Sequence, residues 1–413
     1  MSKTSRFASL ALLLLFTLAM GVHTHRAWME WSWQRATSSW QAENACRVLE
    51  RNPDCWRAAA RLREQEGGNA LPLWSRSLDL DPRNVEAAIA SALPLESAGQ
   101  PQEAERLLLR AARLNQLWLP RWSLALFYSR QGHSDEFWRW ARLAFERSYW
   151  DRTAMFRQCS AQGATAQFLL QHVLPVRLDL RLALLRYLTG QPVDGQLLPA
   201  AEAVVACARP EQRGDALPVL VDAIAVLARM GHPEQAFRVW ASMCDRRLTS
   251  YAAPTEQTPV TNSELRAPFM EAGFDWQMPP ASGVSNLVLA GGEGVRFTLT
   301  GSQPAGAILL QQWLFLRGGQ TWLLTVDART QGIEPADSAL YWRIIDEENG
   351  LPYEPDRAAV HGDEWTRLHF RLRGPPTDRL ARLALMAAQR PGRVRMQGDV
   401  SVRRVELRAE PRP

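Results

Sequence analysis

A turn glycine followed five positions later by a small or apolar residue recurs in this chain, and it restricts the fold more than any other feature. It reads Gly99-Gln-Pro-Gln-Glu-Ala104, Gly132-His-Ser-Asp-Glu-Phe137 and Gly231-His-Pro-Glu-Gln-Ala236. The glycine ends one helix where a positive φ is needed, the polar residues open the next, and the fifth residue packs between the two. Ala70, Ala104 and Phe137 succeed one another at steps of 34 and 33 residues, the period of a helix–turn–helix solenoid. Asp81-Pro82 falls where such a unit closes, and Ala111 and Ala144 each lie seven residues beyond a packing position, on the same helical face.

These residues resemble a set of degenerate tetratricopeptide repeats, and the resemblance implies stacked helix pairs whose groove takes a protein partner. Spacing from Phe137 selects Leu119, Trp122, Leu126 and Ser129 as groove-lining side chains. Trp118, Trp122, Tyr128, Trp138, Trp140 and Trp150 crowd the same segment, and most of them are expected in the core. From Arg152 to Gln212 the pattern stays helical without the signature, broken at Gly190, Pro192 and Gly195, and reads as worn repeats. Ala216 to Met230 and Pro233 to Arg246 restore it.

The first 26 residues read as a leader. Lys3 and Arg6 precede an uninterrupted apolar run from Phe7 to Val22, the charged-then-apolar layout of an export signal. At about 1.5 Å per residue the run spans roughly 24 Å, short for a bilayer core. Ala19-Met20-Gly21 offers small residues for cleavage, whereas Arg26, Trp28, Trp31 and Trp33 suit an interfacial belt. A cleaved signal and an inner-membrane anchor over residues 7–22 both stay open. Either way the positive-inside rule predicts that the rest lies outside the cytoplasm, in the periplasm or beyond.

An oxidising compartment gives the five cysteines meaning. Cys46 and Cys55 flank Asn52-Pro53-Asp54, a helix corner, where a local bridge fits; Cys207 and Cys244 lie on helices that could be neighbours, leaving Cys159 over. Small buried apolar side chains are the alternative for all five. A net charge of +5 looks basic, but the bases are spread along the chain with Lys3 the only lysine, so nucleic-acid binding is not expected.

Residues 250–264, with Pro254 and Pro259 among Thr and Glu, read as a linker. Beyond it the apolar period switches from 3.6 to 2. Val295-Phe297-Leu299, Trp322-Leu324-Val326, Leu340-Trp342-Ile344 and Leu368-Phe370-Leu372 alternate with polar residues, and Leu380 to Ala388 and Val400 to Leu407 supply two more strands. Gly291-Gly292, Gly318-Gly319, Asn349-Gly350 and Gly374-Pro375-Pro376 are the turns between them. Many short alternating strands imply a sandwich of two antiparallel sheets. The order of elements, Phe269 and Gly273-Phe274-Asp275-Trp276 first and a closing strand entered by Asp399, resembles the jelly-roll domains used as carbohydrate-binding modules.

Reactive chemistry is scarce. The histidines show no metal-ligand or catalytic spacing, His133-Ser134-Asp135 is a helix connector, and Gly291-Gly292-Glu293-Gly294 reads as a hairpin turn opening a strand. Asp346-Glu347-Glu348 and Asp363-Glu364 could form a glycosidase pair, but both lie beside turns, where acids are simply solvated. No catalytic residue, cofactor or metal site is expected. Sugar rings present a flat C–H face and a rim of hydroxyls, so exposed aromatics beside planar polar groups are the better candidates. Trp276, Tyr341, Arg343, Tyr353 and Trp365 meet that description near strand ends and loops.

The fold expected is therefore α + β and multidomain: a signal or anchor at 1–26, an α-solenoid of tetratricopeptide-like pairs at 27–249, a linker at 250–264 and an antiparallel β-sandwich (jelly roll) at 265–413. The functional expectation is a non-catalytic exported scaffold that binds a protein through the repeats and a polysaccharide through the sandwich. The resemblance implies a place in exopolysaccharide or envelope-polysaccharide assembly. A purely structural platform without a sugar site is the rival, and a glycoside-active enzyme a third reading.

Overall fold

The computed structural model describes residues 3–149, 151–334, 339–353, 358–360, 362–388 and 395–410. Trp150, one of the aromatics singled out above, lies outside them. Contacts divide the chain into two units, residues 1–150 with 172–175 and residues 151–171 with 176–413.

The first unit is helical. It holds α1 (Lys3–Gln34), α2 (Ser39–Val48), α3 (Pro53–Gln65), α4 (Leu71–Leu80), α5 (Val85–Ser97), α6 (Pro101–Leu114), α7 (Trp118–Arg130) and α8 (Ser134–Arg147). The signature glycines act as read from the sequence. Gly99 and Gly132 have φ of 76° and 75°. The next amide reaches back five residues, Gln100 N–H to Leu95 O at 2.9 Å and His133 N–H to Tyr128 O at 2.9 Å. Each is a Schellman closure that satisfies the terminal carbonyls of one helix before the next begins. Gly67 closes α3 in the same way, through Gly68 N–H to Arg63 O at 2.8 Å. Ala104, Ala111, Phe137 and Ala144 are fully buried, as the packing positions require.

On α1 the side chains from Leu12 to Val22 are exposed, as are Trp28 and Trp31, while Met29 and Trp33 pack on the cluster formed by Ala42, Ala45, Cys46, Leu49, Cys55 and Ala59. Among the described residues no helix is long and apolar enough to cross a membrane, so the anchor expected over residues 7–22 gains no support here. Cys46 and Cys55 are bridged, with Cα atoms 5.6 Å apart across the corner capped by Asn52. Cys159, Cys207 and Cys244 are free thiols. Burial pushes the Cys159 thiol up to about 12, which leaves it protonated and inert.

The second unit contains the worn segment, the restored repeat and the sandwich. Its helices are α9 (Thr153–Ala161), α10 (Ala166–Phe168), α11 (Leu178–Gly190), α12 (Leu197–Cys207), α13 (Arg213–Arg229) and α14 (Pro233–Asp245), and a π turn, Leu169–Val173, follows α10 and runs into the segment 172–175 that belongs to the first unit. Gly163 (φ 82°) and Gly231 (φ 83°) make the same five-residue closure, Ala164 N–H to Cys159 O at 3.1 Å and His232 N–H to Leu227 O at 2.9 Å. The worn stretch therefore keeps the turn and loses only the residues around it.

The strands are β1 (Trp276–Gln277), β2 (Val284–Val288), β3 (Val295–Thr300), β4 (Ala307–Leu316), β5 (Thr321–Glu334), β6 (Ala339–Asp346), β7 (Ala358–Ala359), β8 (Thr366–Arg373), β9 (Arg379–Ala388) and β10 (Gln397–Ala409). They form two antiparallel five-stranded sheets, ordered β1-β4-β9-β6-β7 and β2-β3-β10-β5-β8. From β3 to β6 each strand lies in the other sheet from its predecessor, and β8 to β10 do the same, a jelly-roll path. Inward residues of both sheets, among them Trp276, Phe297, Leu314, Trp322, Trp342, Leu385 and Val400, share one core. The Gly291-Gly292 turn joins the antiparallel pair β2 and β3, with Leu289 N–H bonded to Gly294 O at 2.8 Å.

Two parts of this unit depart from expectation. The strand β4 was not foreseen, because Leu309-Leu310-Gln311-Gln312-Trp313-Leu314-Phe315-Leu316 hardly alternates. Its inner face packs in the core, and its outer face meets α14 where Phe237 lies 5.9 Å from Phe315. A strand covered on both sides reads as a continuous apolar run. Residues 250–264, expected as a linker, are instead fixed on the sandwich. Buried Gln312 accepts from Thr261 N–H at 3.1 Å and donates to Thr261 O at 3.0 Å.

Candidate functional site

Alternation along each strand puts one set of side chains in the core and the other on an outer face. The face of the β4-containing sheet is covered at one end by an aromatic cluster. Phe237 and Trp240 of α14 meet Phe274 at 5.6 and 6.3 Å, and Phe274 meets Trp313 at 6.3 Å. Gly273 has φ of 60°, and a Cβ there would lie 2.9 Å from the Trp240 ring, so only glycine permits this approach. Beneath it the buried Asp275 accepts from Tyr251 Oη at 2.7 Å; burial raises its pKa against the pull of that bond. Arg317 ties the same end with ion pairs to Glu234 (3.0 Å), Glu256 (2.5 Å) and Asp378 (2.5 Å).

Beyond that cover the face is polar and half-buried. Gln277, Gln311 and Ala384 are register partners, and one step along the strands Trp313 lies opposite Arg382. Gln311 donates to Gln277 at 3.1 Å and accepts from Arg382 at 3.2 Å, and Arg382 pairs with Glu347 at 2.5 Å. An indole therefore stands beside a chain of planar amides, a guanidinium and a carboxylate. At this edge a cleft of about 560 Å³ opens between the α13–α14 turn and the sheet, lined by Arg229, Pro233, Trp313, Asp346, Glu348, Asp378 and Arg379 among others.

Two of its acids, Asp346 and Asp378, are held as anions. Burial acts to raise Asp346, but bonds from Tyr353 Oη (2.8 Å), the Glu348 amide (2.8 Å) and Arg379 (3.0 Å) outweigh it and lower its pKa. The Gly318 amide and Arg317 lower Asp378. A proton donor at neutral pH needs the opposite shift. Asp363 and Glu364 are exposed and precede β8 in the other sheet. Among the described residues no group of three His, Cys, Asp or Glu side chains could hold a metal ion.

The residues selected from the sequence do not form one site. Trp276 is fully buried in the core, 6.2 Å from Trp342, with Nε1 donating to Asn262 O at 3.2 Å; pairing with β4 turns its ring inward. It is not a surface contact. Tyr341 points to the outer face but is only 8% exposed, with the Arg343 guanidinium 5.6 Å from its ring. Tyr353 is half-buried, packs against the core and holds Asp346. Trp365 lies just before β8, beside the other sheet. In the helical unit Trp122 is buried between α7 and α8, 6.2 Å from Phe137 and 6.3 Å from Phe145, so it is not a groove contact either. Leu119 is exposed, and Leu126 and Ser129 are half-buried. Trp313, Gln277, Gln311 and Arg382 were missed; the signal lay in the Gln-Gln-Trp interruption of an otherwise apolar run.

The outer face of the second sheet is dominated by arginine. Arg296 on β3, Arg329 on β5, Arg367, Arg371 and Arg373 on β8, and Arg403, Arg404 and Arg408 on β10 face Asp327, Asp399 and Glu406. Asp327 pairs with Arg367 at 2.7 Å, which keeps its pKa below the usual carboxylate range. Trp365 lies with Arg329 and Arg403 4.8 and 4.5 Å from its ring centre.

Against known proteins, no protein-family profile matches this chain, and no curated protein does. Among solved structures it is similar to a CBM4 structure at 14% identity, covering 37% of this chain and 99% of that one, with a TM-score of 0.29. It is also similar to YrrB, a TPR protein with an unusual peptide-binding site (13% identity, 51% and 93% covered, TM-score 0.26). A third is PilW, a widely conserved type IV pilus biogenesis factor (12% identity, 59% and 94% covered, TM-score 0.25).

Proposed function

We propose that this chain is an exported, non-catalytic scaffold whose helix pairs hold a protein partner and whose sandwich holds a neutral stretch of polysaccharide. The observation that carries the glycan reading is Trp313 beside the hydrogen-bonded row Gln277, Gln311, Arg382 and Glu347 on one half-open face. An indole offers an apolar plate to a sugar's C–H face, and amides and a guanidinium offer planar bonds to its hydroxyls. Export is supported by the charged-then-apolar leader and by the Cys46–Cys55 bridge, a bond that persists outside a reducing cytosol. In that setting, envelope or exopolysaccharide assembly in the periplasm is the role we assign, with the leader either tethering the chain to the inner membrane or removed. Two modest sites on one chain gain avidity by acting together.

The test is affinity electrophoresis of the full chain through gels containing neutral glucans, mannans or galactans. Retardation by at least one polymer is expected, reduced at least about tenfold in Kd by Trp313→Ala, since stacking and one lost bond amount to roughly 1.4 kcal/mol or more. No retardation by any polymer, or a Trp313→Ala chain retarded as strongly as the parent, overturns the glycan reading. It would favour the structural platform, which the burial of Trp276 and Tyr341 already suits.

A further inference from the structure

The arginine-bearing face has no part in the reading above. Its centre is one row across three strands: Ser401 of β10 is the register partner of both Arg296 on β3 and Arg329 on β5. Adjacent strands lie about 4.8 Å apart, so the two arginine backbones stand roughly 10 Å apart with a small hydroxyl between them. The Nε–H of Arg296 and that of Arg329 are both shielded from solvent and meet no acceptor. Both side chains are half-buried, on either side of a Ser401 that is itself buried. Arg329 and Arg403 lie over Trp365, with Arg403 also 3.7 Å from Asp327, and a guanidinium stacked on an indole can still turn an N–H edge toward an oxyanion. Arg371 and Arg408 are 77% and 65% exposed; each pairs with a glutamate, Glu410 at 2.8 Å and Glu406 at 3.4 Å, and arginines still outnumber acids along these strands.

We propose that this face binds an acidic polysaccharide, with sugar carboxylates taken by Arg296, Arg329 and the exposed arginines that flank them. A carboxylate accepts two parallel N–H bonds from a guanidinium, and a polymer bearing one at regular intervals matches charge repeated at alternate strand positions. A sheet presents such positions about 6.7 Å apart along each strand. The surface is separate from the Trp313 face, so the two stand or fall independently.

The probe is polygalacturonate, with its carboxyl-reduced counterpart as control, titrated against the full chain at several salt concentrations. Binding that weakens steadily with salt is expected, because the charges involved are exposed to screening. The double variant Arg296→Gln/Arg329→Gln should weaken it at least about tenfold, the equivalent of one lost charge-assisted bond. Arg371→Glu/Arg408→Glu, which touches only exposed side chains, should weaken it severalfold and serves if the first variant is unstable. Trp313→Ala should leave it unchanged. Equal affinity of the Trp313→Ala chain for the carboxyl-reduced polymer, insensitivity to both double variants, or tighter binding to single-stranded DNA or anionic lipid vesicles than to polygalacturonate would each overturn the proposal.

Discussion

The two outer faces of the sandwich are built from the same strand alternation and do different things with it. The β4-containing sheet is covered at one end by Phe237, Trp240 and Phe274, then opens onto amides and the Asp346 cleft. The β10-containing sheet carries half-exposed arginines paired with Asp327 and Glu406 and stacked on Trp365. On the first face the covered outward residues contribute to stability and the open ones around Trp313 are those we assign to a neutral glycan; on the second the arginines are those we assign to an acidic polymer. The difference teaches that a strand's polar positions alone do not say which face is functional: what covers them decides.

The largest test of that contrast is Trp240→Ala. Removing a fully buried indole should cost about 3–5 kcal/mol by urea unfolding of the full chain. A loss below about 1 kcal/mol would mean that the cover is incidental. Next comes Asp346→Ala, which strips Tyr353 and Arg379 of a partner that is 4% exposed and should cost about 3 kcal/mol. The sign of its pH dependence is fixed: the folded pKa lies below the unfolded one, so the contribution is full above the unfolded value and fades as pH falls through the folded value. Thermal unfolding of parent and variant should converge in acid and diverge toward neutrality; a constant gap between pH 3 and 7 would refute the ion-pair account. On the opposite face Asp327→Ala should cost only about 1 kcal/mol, because Arg367 is 54% exposed and well screened. Arg371→Ala, with its side chain 77% exposed, should shift stability by less than about 0.5 kcal/mol. Should either arginine-face variant exceed Asp346→Ala, the contrast is wrong.

Legibility in the sequence followed the same division. The glycine closures were readable because positive φ and a small packing residue are local requirements, and Gly99, Gly132 and Gly231 meet them as expected. Gly163 makes the same turn, but a π turn follows it, and with that the spacing that would have revealed it disappears. Strands with one solvated face, such as Val295–Thr300, were legible from period 2. The strand β4 was not, because α14 buries its outer side, and with it went Trp313 and Gln311. Tertiary cover is non-local information. The same cause explains residues 250–264, whose prolines signal irregular backbone without signalling that Gln312 clamps it. Trp276 and Trp122 are buried against expectation because an aromatic near a strand end or on a helix carries no mark of which way it faces.

The measurement that bears most directly on the glycan account is calorimetric titration of the full chain with an oligosaccharide of whichever neutral polymer retards it. Run in parallel on the parent, Trp313→Ala and Arg371→Glu/Arg408→Glu, it should show affinity lost only in Trp313→Ala. Undiminished binding by Trp313→Ala, with loss confined to the arginine variant, would contradict the assignment of the neutral glycan to the β4-containing face.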